Sequence, residues 1–158
     1  MNLPLLNSVT AFVWAEADML DHAEYDAWLA LWSPDGSYIV PIDPDAEDYA
    51  NSLNYAHDDA EMRRLRVERL NGRESISVQP RARTVRSVSR LRVIKEDSEG
   101  VIVRGAQDLS AFRKEGLRQF SADVTWNLQR KGEDWCIERK IVRLISSTDT
   151  LACVGYIF

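Results

Sequence analysis

The chain has 158 residues, 45% hydrophobic and 28% charged, with 25 acidic against 20 basic side chains and a formal net charge of −5. That length supports one domain spanning 1–158, and the apolar share excludes wholesale disorder. No apolar run approaches the roughly 20 residues of a membrane-spanning helix, the first residues lack the Lys or Arg of a secretory signal, and two cysteines (Cys136 and Cys153) make no disulfide framework, so a reducing cytoplasm is the expected setting.

Residues 8–21 read as an amphipathic helix, with Val9, Phe12, Val13, Ala17 and Leu20 on one stripe. Glu16 falls at the centre of that stripe, so it is lifted to the rim of the core, hydrogen-bonded inside it, or functional. Trp14 points away from the stripe, and burial by another subunit would explain it. Asp21 and Glu24 have the spacing of a capping box before a second helix carrying Tyr25, Trp28, Leu29 and Trp32. Ser33-Pro34-Asp35-Gly36 is a turn signal that stops it. Residues 37–40 form a short strand closed by Pro41, and the acidic stretch 42–56 reads as a surface loop. Asp58 and Glu61 repeat the capping pattern before a third helix carrying Met62, Leu65 and Leu70, ended by Asn71-Gly72.

After Gln79-Pro80 the period changes from 3.6 to 2. In 84–94, Val85, Leu91 and Val93 share one parity while Arg86, Arg90 and Arg92 share the other. A polar turn leads to a strand over 101–113, then a strand from Gly116 in which Phe120, Ala122, Val124, Trp126 and Leu128 alternate with polar residues. In the last strand, 135–145, Trp135 and Ile137 lie on one parity, and Val142 and Leu144 on the other. That switch predicts a bulge near Arg139 or a strand covered on both faces. Cys136 reads as a small packing residue. The apolar tail 149–158 is expected to be buried against the domain or at a subunit boundary. Helices followed by a meander of long strands give an α+β domain, with three helices on a strongly curved, mainly antiparallel sheet.

The ligand inventory restricts the chemistry. The two histidines, His22 and His57, stand in no metal-ligand spacing, and no phosphate-cradling or nucleophile-elbow motif occurs. No metal, cluster or redox cofactor is therefore expected in this chain. Charge is uneven: residues 1–62 hold thirteen Asp/Glu and no Lys or Arg, whereas 63–92 hold ten Arg against Glu68 and Glu74. The acidic and basic portions are expected to meet in the fold or across a subunit boundary. The arginines lack interleaved aromatics, so nucleic acid is not an expected partner.

Read together, Glu16-Ala17-x-x-Leu20-Asp21, Tyr25-Asp26-x-Trp28-Leu29 and Pro34-Asp35-Gly36-x-Tyr38-x-Val40-Pro41 resemble the small (beta) subunit of aromatic-ring-hydroxylating dioxygenases. The resemblance continues through Asp58-Asp59, Arg66-Val67-x-Arg69-Leu70, Pro80-Arg81-x-Arg83-Thr84-x-Arg86-x-Val88-Ser89, Trp135-x-Ile137 and Lys140-x-Val142-x-Leu144. It implies a nuclear-transport-factor-2-like cone and an α3β3 hexamer. In such a hexamer the alpha subunit carries the Rieske 2Fe–2S cluster and the mononuclear iron, and the beta subunit is mainly structural. Arg90 stands where relatives often show Asn. On this reading Arg83, Arg86, Arg90 and Trp14 are the candidate subunit contacts, since the arginine fork pairs bidentately with carboxylates and carbonyls. The alternative is a stand-alone isomerase, dehydratase or cyclase on the same cone, for which Glu16, Tyr38 and His57 are the pocket candidates.

Overall fold

A computed structural model describes residues 1–76, 82–114, 116–146 and 155–158. Three helices, α1 (Leu3–Asp21), α2 (Tyr25–Ala30) and α3 (Ala60–Ile76), accompany six strands. The strands are β1 (Trp32–Pro41), β2 (Asn54–Asp58), β3 (Arg83–Glu96), β4 (Gly100–Arg113), β5 (Gly116–Lys131) and β6 (Asp134–Leu144). They make one sheet in the order β2-β1-β6-β5-β4-β3, antiparallel except where β1 runs parallel to β6. Strands of 14 to 16 residues curl strongly. The result is the α+β cone that the strand meander implied.

Helix α1 begins at Leu3 rather than residue 8. Asn2 caps it, its side chain accepting from the Leu5 amide at 3.1 Å, and a proline occupies the first turn where its missing N–H is harmless. The helix buries Leu5, Val9, Phe12, Val13 and Leu20, each such side chain contributing roughly 1.5–3 kcal/mol of transfer free energy. These meet Trp28, Val103, Val124, Trp126, Ile137 and Val142, all without solvent exposure.

Three expected boundaries shift. Helix α2 has six residues, and Trp32 belongs to β1, because the Ser33–Gly36 turn signal is absorbed as a bulge inside that strand. The register against β6 jumps from Trp32↔Ile137 to Ser37↔Arg139, and a Cβ on Gly36 would lie 2.8 Å from the Ile137 carbonyl oxygen. The stretch 42–56 contains a 3₁₀ turn (Tyr49–Asn51) and most of β2, which pairs antiparallel with β1. Helix α3 is capped by Asp59, whose side chain accepts from the Met62 amide at 2.9 Å, and it runs past Asn71-Gly72 to Ile76.

Candidate functional site

The predicted switch of parity in β6 is a bulge. Asn127 pairs with Arg139 but Leu128 pairs with Ile137, which leaves Glu138 as the extra residue. After it Lys140, Val142 and Leu144 face inward, so a lysine enters the core with 1% exposure. Its Nζ lies 2.7 Å from Oε1 of Glu16, itself 2% exposed at the side chain. Trp28 Nε1 donates to the same oxygen at 3.2 Å, and Trp126 Nε1 donates to Oε2 at 2.9 Å. Burial lowers the Lys140 ammonium below its usual range, and the Glu16 carboxylate opposes that shift. Glu16 is therefore the hydrogen-bonded core carboxylate among its three expected fates. Sequence reasoning missed Lys140, although the bulge that it inferred already put this lysine on the apolar parity.

Around this pair lie two further acid–arginine clasps. Asp58, at the end of β2, accepts from Arg66 Nε at 2.6 Å and Nη2 at 3.0 Å, a bidentate fork that raises the guanidinium above its ordinary range. Asp21, at the end of α1, accepts from the Arg86 backbone amide at 2.8 Å, from Thr84 Oγ1 at 2.9 Å and from Arg86 Nη1. Tyr38 is 1% exposed, and burial pushes its phenol far above the ordinary value. Its hydroxyl accepts the Phe158 amide at 2.8 Å. Arg63 is 2% exposed; its guanidinium lies 4.2 Å from the Trp32 ring centroid and donates to the carbonyls of Gly36 and Asp58.

The placement of Arg86 corrects the sequence reading of β3. Arg90 has φ +57°, and the register against β4 slips between Ser89 and Arg92. Before this bulge the even residues Arg86 and Val88 face the core; after it the odd residues Leu91 and Val93 do. Arg86 is thus 4% exposed at its side chain, inside the cone, while Val85 is 65% exposed on the outer face. Arg86 is consequently no contact on an open sheet face. Arg83 and Arg90 are exposed, the latter 3.2 Å from Asp123. Arg83, Phe112 and Leu117 form a row across β3, β4 and β5, with Phe112 and Leu117 more than half exposed.

Trp14 is 57% exposed, and its indole donates to the Val88 carbonyl at 3.0 Å, capping the free edge of β3 where Asp21 also caps the Arg86 amide. His57 lies exposed on the edge strand β2, away from the Glu16 cluster. Cys136 is buried, and burial pushes its thiol up. Within the tail, Ile157 and Phe158 are buried against the domain; the rest of 149–154, with Cys153, lies outside the described residues. No helix among the described residues is long and apolar enough to cross a membrane.

The chain is thus an α+β domain whose interior acids Glu16, Asp21 and Asp58 are paired with its own cations and whose outer sheet face carries Arg83, Phe112 and Leu117. Residues 15–150 match the family described as the ring hydroxylating beta subunit, and the chain belongs to that family. It is similar to the small oxygenase component of the p-cumate 2,3-dioxygenase system of Pseudomonas putida, 35% identical over 102 residues, covering 63% of this chain and 57% of that one. It is also similar to the benzoate 1,2-dioxygenase beta subunit of Acinetobacter baylyi, 25% identical over 88% of this chain and 85% of that one. The match thus spans just over half the length of the p-cumate and benzene dioxygenase relatives. In structure, the benzoate 1,2-dioxygenase beta subunit of Burkholderia mallei superposes with a TM-score of 0.80 at 21% identity, over 96% of this chain and 97% of that one, and so shares the fold.

Proposed function

We propose that this chain is the non-catalytic, structural beta subunit of an aromatic-ring-hydroxylating dioxygenase. It assembles with an alpha subunit as α3β3, in the cytoplasm, in the catabolism of aromatic compounds. The observation that carries this reading is the family match over residues 15–150. The Rieske 2Fe–2S cluster and the mononuclear iron reside, on this reading, in the alpha subunit. Among the described residues of this chain, no group of three or more His, Cys, Asp or Glu is placed to hold a metal.

The geometry supports this reading over the stand-alone enzyme. A pocket acid or base must reach a substrate proton. Here Glu16 is engaged by three donors, the Tyr38 hydroxyl binds the Phe158 amide, and His57 stands outside the interior. Arg83 and Arg90 on the outer face, with Trp14 at the β3 edge, are the proposed subunit contacts. Co-expression with the large subunit from the same operon, followed by size-exclusion chromatography, tests the assignment. Stable co-elution is expected, and Arg83→Glu should reduce the co-eluting fraction while leaving the melting temperature of the isolated chain unchanged. Elution of the two chains as separate species would refute it.

A further inference from the structure

Two arginines of the interior use the same edge of the guanidinium differently. Arg66 turns its Nε and Nη2 onto both oxygens of Asp58, the arrangement in which the arginine fork reads a carboxylate. Arg86 turns its Nε and Nη2 away from Asp21, which takes Nη1 and the backbone amide instead. Among the described residues, on that edge Nη2 meets only the backbone carbonyl of Ile157, and Nε has no hydrogen-bond partner. A carboxylate-reading fork is thus buried and half used, by a neutral group.

A second unused donor stands beside it. Gln107 is 3% exposed and its Nε2 has no partner among the described residues. Register puts Arg86 opposite Leu109 and Val88 opposite Gln107, so Arg86 and Gln107 are diagonal neighbours on the inner face of β3 and β4. Leaving a buried donor unpaired is unfavourable. Two of them on neighbouring inner positions indicate a place shaped for an acceptor that the described residues do not supply.

The occupant of this corner is a segment of the chain. Arg86, Leu109 and Phe120 form one row across β3, β4 and β5, and the Phe158 ring stands edge-on to Phe120 at 5.5 Å between centroids. Tyr156 lies against the same ring at 5.4 Å. Besides side-chain packing, the segment is held by two main-chain bonds, Ile157 carbonyl to Arg86 and Phe158 amide to Tyr38.

We propose that this corner of the cone is a binding site for a small aromatic carboxylate, and that residues 156–158 are its displaceable stopper. The carboxylate takes the Nε and Nη2 edge of Arg86 with Gln107 Nε2 as a further donor, and the ring replaces that of Phe158 against Phe120. No bond is made or broken, and the site is independent of the subunit assignment.

The test uses the full chain and 4-fluorobenzoate, followed by fluorine NMR, with 4-fluorotoluene and acetate as probes lacking the carboxylate or the ring. Phe158→Ala empties the ring slot and should tighten 4-fluorobenzoate binding by about tenfold or more, with 4-fluorotoluene and acetate remaining weak. Adding Arg86→Lys, which keeps a cation beside Asp21 but removes the fork, should reverse that gain. In the unsubstituted protein, 4-fluorobenzoate should speed hydrogen exchange of the Phe158 amide, a readout that needs no variant to fold. An unchanged Phe158 exchange rate at saturating probe would overturn the proposal. So would equal binding of 4-fluorotoluene, or Phe158→Ala binding that is indifferent to Arg86→Lys.

Discussion

Replacing Lys140 with methionine keeps most of the side-chain volume but removes, among the described residues, the only cation within hydrogen-bond reach of Glu16, 2.7 Å away. The carboxylate is then left 2% exposed with two indole donors. Removing one partner of a buried ion pair costs about 3–5 kcal/mol, because the remaining charge stays desolvated and uncompensated. Against a total stability of roughly 5–15 kcal/mol this is a large fraction, and for a domain of this size it lowers the melting temperature by about 6–20 °C. The double variant Glu16→Gln/Lys140→Met carries no charge at this pair, and its carbonyl oxygen still accepts from an indole. It should therefore recover at least about 2 kcal/mol relative to the sum of the singles. Urea unfolding with an unchanged slope reads both quantities. A single-variant cost below about 1 kcal/mol, or strict additivity in the double variant, would show that the cluster is hydrated and that the interior reading is mistaken.

Two other measurements probe the ends of the site. Arg90 sits at φ +57°, where a side chain is strained by about 1–2 kcal/mol, and its ion pair with Asp123 is solvent-exposed. Arg90→Gly should raise stability by about 0.5–1 kcal/mol in urea unfolding, and a loss of that size would contradict a bulge at this residue. His22 is held above its ordinary value first by its ring bond to the Asp18 carbonyl and then by the Asp18 charge. A raised folded value means that its contribution is present below about pH 6.5 and is lost as pH rises through the folded value. His22→Ala should flatten stability across that window, and an unchanged pH profile would remove His22 from the account.

How far the sequence could be read depended on where its bulges fell. In β6 apolar residues flank the irregularity, Trp135 and Ile137 before it and Val142 and Leu144 after it, so the switch of parity shows directly. In β3 the residues before the bulge mislead: Val85 is apolar yet 65% exposed, and Arg86 is charged yet nearly sealed. Parity anchored on Leu91 and Val93 then runs backwards across Arg90 and sends Arg86 outward. The left-handed conformation of Arg90 carries no signal in an arginine, whereas an Asn at such a position would have hinted at it. Likewise Ser33-Pro34-Asp35-Gly36 has the composition of a terminating turn, but tertiary pairing with β6 keeps the strand going through it. Position in the core, by contrast, was legible for Glu16 because a helical stripe has only one centre. Its partner was not, since Lys140 lies 124 residues away and only the sheet brings it near.

The charge asymmetry of the sequence acquires two distinct meanings in three dimensions. Three of the thirteen acids in residues 1–62 are drawn inward, and each fastens one element to a later one: Glu16 holds α1 to β6, Asp21 holds α1 to β3, and Asp58 holds β2 to α3. Buried pairs of this kind are weak evidence for net stability, but each penalises the alternative packing in which its partner is missing. They therefore act on register, fixing how α1 lies across a sheet whose curl alone does not specify it. The acids left outside, Asp43, Asp45, Glu47 and Asp48 among them, are exposed, and so are Arg83, Arg90 and Arg92 on β3. Exposed groups are screened within about 10 Å at ordinary salt, whereas the inner pairs are not. It follows that ionic strength should act on encounters between subunits far more than on the folding of this one, because the two populations of charge, contiguous in sequence, are separated by the wall of the cone.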